Sequence, residues 1–234
     1  MAGRDIFVFG NTGTGKSTLM AALAVYIQRH PGILLRMNLP NIEGRKILMR
    51  DWIRRLTMER RFPPVTPVGS IQRIDIGVEK FKGEGKGVGF TFLEMSGEDL
   101  RIIDIEKYEG EFSKEFKRQL TVSTCCMVIT SYEQAIEDDM LISQFFDNLV
   151  FLKIRVPVAF ILTKWDTAPK GETFKSFIQA NMPQTYGWLQ TQYVKNPKVF
   201  TFSVGKISKD DNTIEKLELE NAREILQWLY EILK

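Results

Sequence analysis

The chain has 234 residues, 44% of them hydrophobic and 26% charged, which suits one compact domain able to bury a real core. Its net charge of +3 is too small to demand a nucleic-acid or membrane partner by charge alone. One histidine, His30, and two adjacent cysteines, Cys125 and Cys126, exclude a zinc site built from His and Cys and a disulfide framework. They also leave a Ser-His-Asp triad dependent on His30, so chemistry must run on phosphate, magnesium, carboxylates and backbone.

The polar start MAGRD leads into a short apolar run, so no signal peptide, membrane span or lipid anchor is expected and the chain reads as cytoplasmic. Apolar runs at 6–9, 71–78, 88–95, 125–130, 156–163 and 199–203 predict strands, and segments of helical period between them predict an α/β fold. The first helix, 16–29, carries Leu19, Leu23, Tyr26 and Ile27 on one stripe and stops at His30-Pro31-Gly32. His30 is expected to cap that end. The spacing predicts further helices over 43–60, 109–120, 133–153, 172–193 with a break at Pro183, and 216–233. The glycine-rich stretch 79–87 predicts an antiparallel hairpin between the strands on either side of it, and the other strands should be parallel. Cys125 and Cys126 should point to opposite faces of a buried strand. The expected architecture is one domain over 1–234, three-layered, with a mainly parallel, six-stranded sheet.

The segment 45–61 holds seven Arg and Lys against Asp51 and Glu59, with Leu48, Met49, Trp52, Ile53 and Leu56 at helical spacing. It reads as a basic amphipathic helix, inserted at about 42–61, whose apolar side meets the core. Docking of an acidic partner or anionic lipid, with Trp52 contributing, is the other reading.

Gly10-Asn11-Thr12-Gly13-Thr14-Gly15-Lys16-Ser17 satisfies the phosphate-loop pattern, follows the first strand and opens the first helix, which is the context the pattern requires. Glycines let backbone N–H groups turn onto phosphates, the helix N-terminus adds a favourable dipole, Lys16 reaches the outer phosphate oxygens, and the Ser17 hydroxyl suits Mg²⁺. Thr163-Lys164-Trp165-Asp166 lies just past a strand's carboxyl end, where ligands of open α/β sheets bind. An ionised Asp166 can accept from the N1–H and 2-amino groups of guanine, which adenine lacks, while the Lys164 stem covers the base. Phe92-Leu93-Glu94-Met95-Ser96-Gly97 ends a strand with a carboxylate suited to a Mg²⁺-bound water and a Gly97 N–H suited to a γ-phosphate.

Together these residues resemble the guanine-nucleotide-binding members of the phosphate-loop superfamily, the small GTPase class that includes Ras, Arf and translation factors. Residues 61–67 and the turn ending Gly97-Glu98 look most like the bacterial double-GTPase and gliding-motility GTPases. The resemblance implies a G domain, GTP and GDP as ligands, Mg²⁺, and slow hydrolysis serving a molecular switch. It places the phosphate loop at Gly10 to Thr18, the base reader at Thr163, Lys164 and Asp166, and a second base-facing backbone at Ser203-Val204. It further implies Thr66 as the switch threonine on Mg²⁺ beside Ser17 and Glu94, with Lys16, Thr66, Gly97 and Glu98 around the reacting phosphate. Thr57 is the rival to Thr66, but its helical setting favours a place on a helix surface. Implied partners are a protein effector or regulator at the switch regions and a pairing with itself or another GTPase, with no nucleic acid.

Three residues depart from the Ras pattern. Glu94 replaces Asp, Thr12 replaces a glycine, and Glu98 replaces a Gln that orients water. A carboxylate about 5 Å from a γ-phosphate charge is opposed by roughly 3 kcal/mol at an effective dielectric of 20, so Glu98 points away or acts only beside a cation. This keeps open a non-hydrolysing interaction module, and an ATPase or nucleotide kinase on the same loop is the other alternative.

Overall fold

The computed structural model describes residues 4–29, 33–36, 43–66, 71–80, 88–95, 110–208 and 213–233. Strand β1 (Arg4–Phe9) runs parallel between β4 (Val88–Met95) and β5 (Cys125–Ser131). Beyond β5 lie β6 (Pro157–Thr163) and β7 (Lys195–Phe202), both parallel. On the other side β3 (Ile71–Lys80) pairs antiparallel with β4 from Ile71↔Met95 to Val78↔Val88, as the glycine-rich connection predicts. All six expected strands are therefore present, and a seventh, β2 (Ile33–Arg36), adds antiparallel to β3 at the edge, giving the order β2-β3-β4-β1-β5-β6-β7.

Seven α-helices lie among the described residues: α1 (Lys16–Arg29), α2 (Glu43–Arg54), α3 (Glu111–Val122), α4 (Ala135–Phe151), α5 (Phe174–Asn181), α6 (Pro183–Leu189) and α7 (Glu220–Leu233). They cover both faces of the sheet, so each face has its own core. Cys125 belongs to the core shared by α1, α2 and α7, and Cys126 to the one shared by α3, α4 and α5, the alternation expected of neighbours on one strand. Helix α1 is buried continuously from Leu19 to Val25. Its three alanines there keep it slim enough to lie between the sheet, α2 and α7, since a helix apolar all round must be covered all round. No helix among the described residues is long and apolar enough to cross a membrane.

Two helices differ from the sequence reading. The basic helix does not run to Arg60: α2 ends at Arg54 and continues as one wide turn, Arg55–Glu59, closed by Arg60 at φ 55°. Within it Met49, Trp52 and Leu56 are buried in the core shared with α1, so Trp52 is a core residue and not a docking residue. The pattern read as one helix over 216–233 is split, because Ile214–Leu217 forms strand β9 against β8 (Gly205–Ile207). That hairpin needs a glycine at its start: Gly205 has φ +112°, and a Cβ there would stand 2.1 Å from the Lys216 carbonyl oxygen. The break expected at Pro183 within 172–193 is present: α5 is opened by a Thr173–Ser176 capping box, and Pro183 begins α6. His30 lies outside the described residues.

Candidate functional site

Register carries the candidate residues to one end of the sheet. Val8 is level with Glu94, Phe9 with Val128, Ser131 with Thr163, and Thr163 with Phe202. The chain therefore leaves β1, β4, β5, β6 and β7 side by side at their carboxyl ends, with β1 at the point where the strand order reverses. A crevice outside that point is where open α/β sheets hold ligands.

The loop from Gly10 to Gly15 turns tightly over this end. A Cβ on Gly10 would meet the Ile129 carbonyl oxygen at 2.2 Å, and Gly15 has φ +84°, so neither position accepts a side chain without strain. Lys16 is folded back along the loop, its Nζ donating to the Gly10 and Asn11 carbonyls at 2.8 and 2.9 Å. Burial lowers its pKa, while Glu94 and Asp138 pull it upward, so the ammonium lies where an incoming anion meets little competing solvent. Thr14 donates to the Asn11 carbonyl at 2.8 Å, tightening the first bend.

At the start of α1, Ser17 Oγ donates to Glu94 Oε1 at 2.8 Å, and Thr66 Oγ1 donates to the same oxygen at 3.0 Å. Glu94 is almost wholly buried, and its Oε2 has no hydrogen-bond partner among the described residues. Burial pushes its pKa up, against the pull of Lys16, Ser17 and Thr66. Two hydroxyls and a carboxylate with one idle buried oxygen form a hard-oxygen set suited to Mg²⁺, which takes few protein ligands and keeps waters and phosphate oxygens. Thr57 is held elsewhere, its hydroxyl donating to the Ile53 carbonyl at 2.7 Å, as a helix-surface threonine would be.

At the other end of the crevice Thr163 ties the two motifs together. Its hydroxyl donates to the Thr14 carbonyl at 2.6 Å. Lys164 follows with φ 55°, and its ammonium is paired with Glu133 at 2.8 Å on the surface. Asp166 is exposed, yet partial desolvation raises its pKa, with a smaller push from Glu133. Edge-on ring contacts from Trp165 to Tyr132 and Phe177, at centroid distances of 5.8 and 5.9 Å, brace this turn against α5. Ser203 and Val204 leave β7 next to it, but their described contacts run the other way. The Val204 side chain enters the core, its carbonyl accepts from Glu218 at 2.9 Å, and Ser203 lines a cleft with Tyr26 and Arg29. Thr18, at the first turn of α1, is half-buried, and Gly97 and Glu98 lie outside the described residues.

No protein-family model and no curated protein matches this chain. Among solved structures it is similar to Roco2 RocCORdC of Methanosarcina barkeri bound to GDP, at a TM-score of 0.43 and 16% identity. The alignment covers 99% of this chain and 50% of that one, so this chain spans half the length of its neighbour.

The sequence reading missed the residues behind the loop. Asp138, in the first turn of α4, accepts from Asn11 Nδ2 at 3.0 Å and from Thr130 Oγ1 at 2.6 Å. Gln134 donates to the Thr12 carbonyl at 3.0 Å and accepts from Ser131 at 3.1 Å. Their loop partners, Asn11 and Thr12, lie more than 120 positions away in sequence, and no local pattern marks either residue. At the end of the basic helix, Arg54 and Arg55 are both paired with Asp51, at 2.6 and 2.8 Å.

Proposed function

We propose that this chain binds GTP and GDP with Mg²⁺ and hydrolyses GTP, as a switch built on one G domain over 1–234. The observation that carries the reading is the convergence of Lys16 and the loop, the Ser17–Thr66–Glu94 oxygens and Asp166 at one end of the sheet. Lys16 and the amides of residues 13–18 hold the phosphates, with Asn11 and Thr12 shaping the first bend. Ser17, Thr66 and Glu94 would hold Mg²⁺, which supplies charge neutralisation at the β- and γ-phosphates when bound. Asp166 accepts from the guanine edge, Lys164 lies over the ring once released from Glu133, and the Ser203-Val204 backbone flanks it. The Gly97 amide would report the γ-phosphate, and with Glu98 in place of a water-orienting Gln intrinsic turnover would be slow.

Loss of the γ-phosphate changes the surface at Thr66 and Gly97, which is what a protein effector or regulator reads. The exposed Met58 and Val65 bracket the segment leading to Thr66 and offer such a partner apolar contact.

Calorimetry with Mg²⁺-GTP and Mg²⁺-ATP, followed by phosphate release, tests this reading. The expected result is GTP bound at least tenfold tighter than ATP, with slow phosphate release that Lys16→Ala abolishes. Equal binding of ATP defeats the guanine assignment, and no release above the Lys16→Ala background defeats the hydrolase assignment.

A further inference from the structure

The loop touches the segment after β5 at the Asn11 side chain and at the Thr12 carbonyl. Asn11 Oδ1 accepts from the Thr12 N–H at 2.9 Å, while Asn11 Nδ2 is held by Asp138. The next peptide is held from its other end, where Gln134 donates to the Thr12 carbonyl. Both anchors are themselves anchored, Asp138 by Thr130 and Gln134 by Ser131, at the end of the central strand β5. Asp138 is 1% exposed and Thr130 fully buried, so this attachment is rigid on the protein's side.

A trans peptide is planar, with its C=O and N–H pointing in opposite directions. Tying the Thr12 carbonyl to Gln134 therefore turns the Gly13 N–H away from Gln134. Thr163 does the same to the next-but-one peptide, because its hold on the Thr14 carbonyl turns the Gly15 N–H away from Thr163. Gly13 meets this demand at φ +82°, and a Cβ there would lie against the Gln134 amide at 3.6 Å. The Thr12 and Thr14 carbonyls are thus fixed by Gln134, just ahead of α4, and by Thr163 at the end of β6, and the Gly13 and Gly15 amides are left facing the crevice.

We propose that Asp138 and Gln134 are positioning residues for the phosphate site, which hold the loop in its anion-binding shape through Asn11 and the two peptides of Thr12 before any nucleotide arrives. The inference rests on the nucleotide reading above and adds to it the residues that preorganise the loop. Without them the loop's carbonyls compete with its amides for the inner face, and ordering falls to the nucleotide, which weakens binding.

The test compares Mg²⁺-GTP affinity and nucleotide-free Tm for the full chain and its variants. Asn11→Ala and Gln134→Ala should each weaken GTP binding about tenfold. Ser143→Ala is the control: on the same helix it removes the acceptor of the 3.1 Å bond from Trp188, and should shift Tm without changing affinity. Asn11→Asp sets two carboxylates against each other and should weaken binding further. Adding Asp138→Asn restores the pairing, since the new amide donates to Asp at 11 and still accepts from Thr130, and affinity should return to within about threefold of wild type.

Asn11→Ala and Gln134→Ala within twofold of wild type overturn the proposal, as does an Asn11→Asp, Asp138→Asn pair no tighter than Asn11→Asp. A wild-type chain that binds neither GTP nor ATP overturns the nucleotide reading and this proposal together. One that binds ATP alone overturns only the guanine assignment, and the same variants are then read with ATP.

Discussion

The hydroxyls of Ser17 and Thr66 lie 3.4 Å apart and converge on one oxygen of Glu94, although 49 residues separate them in sequence. The other oxygen of Glu94 is buried with no hydrogen-bond partner among the described residues, a costly arrangement for a carboxylate unless a cation faces it. Glu94→Gln keeps an acceptor for both hydroxyls and removes the charge. The variant should fold with a Tm at or above that of wild type at neutral pH, because burial disfavours the ionised form. Its gain in GTP affinity on adding Mg²⁺ should shrink at least tenfold. Full Mg²⁺ enhancement in the variant, measured by calorimetry with and without chelator, would show that Glu94 takes no part in holding the metal.

Asp166 carries two opposite pH effects. Its folded-state pKa is raised by desolvation, so the folded chain binds this proton more readily than the unfolded one. Its contribution to stability therefore falls as pH rises through that raised value. Guanine recognition needs the ionised form, so GTP affinity should fall as pH drops through the same value. ATP affinity sets the baseline, since adenine offers the carboxylate no donor pair. Asp166→Asn should erase the difference between the two nucleotides' pH profiles and cut GTP-over-ATP preference at least tenfold, which corresponds to about 1.4 kcal/mol or more. A variant that keeps the GTP-specific slope would place base recognition elsewhere.

Trp52 sits at 1% exposure between α2 and α1, and its indole N–H has no partner among the described residues. Trp52→Ala should cost about 3–5 kcal/mol, a large part of the 5–15 kcal/mol typical of a domain. Trp52→Phe fills most of the space without the stranded donor and should cost less than half as much. Denaturant melts measure both. A loss below 1 kcal/mol in Trp52→Ala would return this residue to the surface and restore the docking reading of the basic helix.

The parts of the fold legible in sequence are those where one local pattern met no competitor. The strand-loop-helix over Arg4–Arg29 was one, because glycines, lysine and a continuous apolar run all agreed. Strand β2 is four residues long and follows Pro31-Gly32, too short to show a period. Ile214 and Leu217 suit either a helix or a strand, and the deciding fact is a partner strand whose glycine admits close approach. At the site, Lys16, Ser17 and Asp166 announce themselves through motifs. Asp138 and Gln134 act on the loop through bonds made only once β1 and β5 lie side by side, so their residue types on a helix start look ordinary.

The adjacent cysteines of β5 give the molecule a built-in pair of reporters. Burial pushes the Cys125 thiol up to about 12 and the Cys126 thiol well above its ordinary value, so neither reacts until its own layer lifts from the sheet. Because the two thiols sit on opposite sides of one strand, the order in which they become modified tells which blanket of helices peels first, and equal rates mean that the whole molecule opens at once.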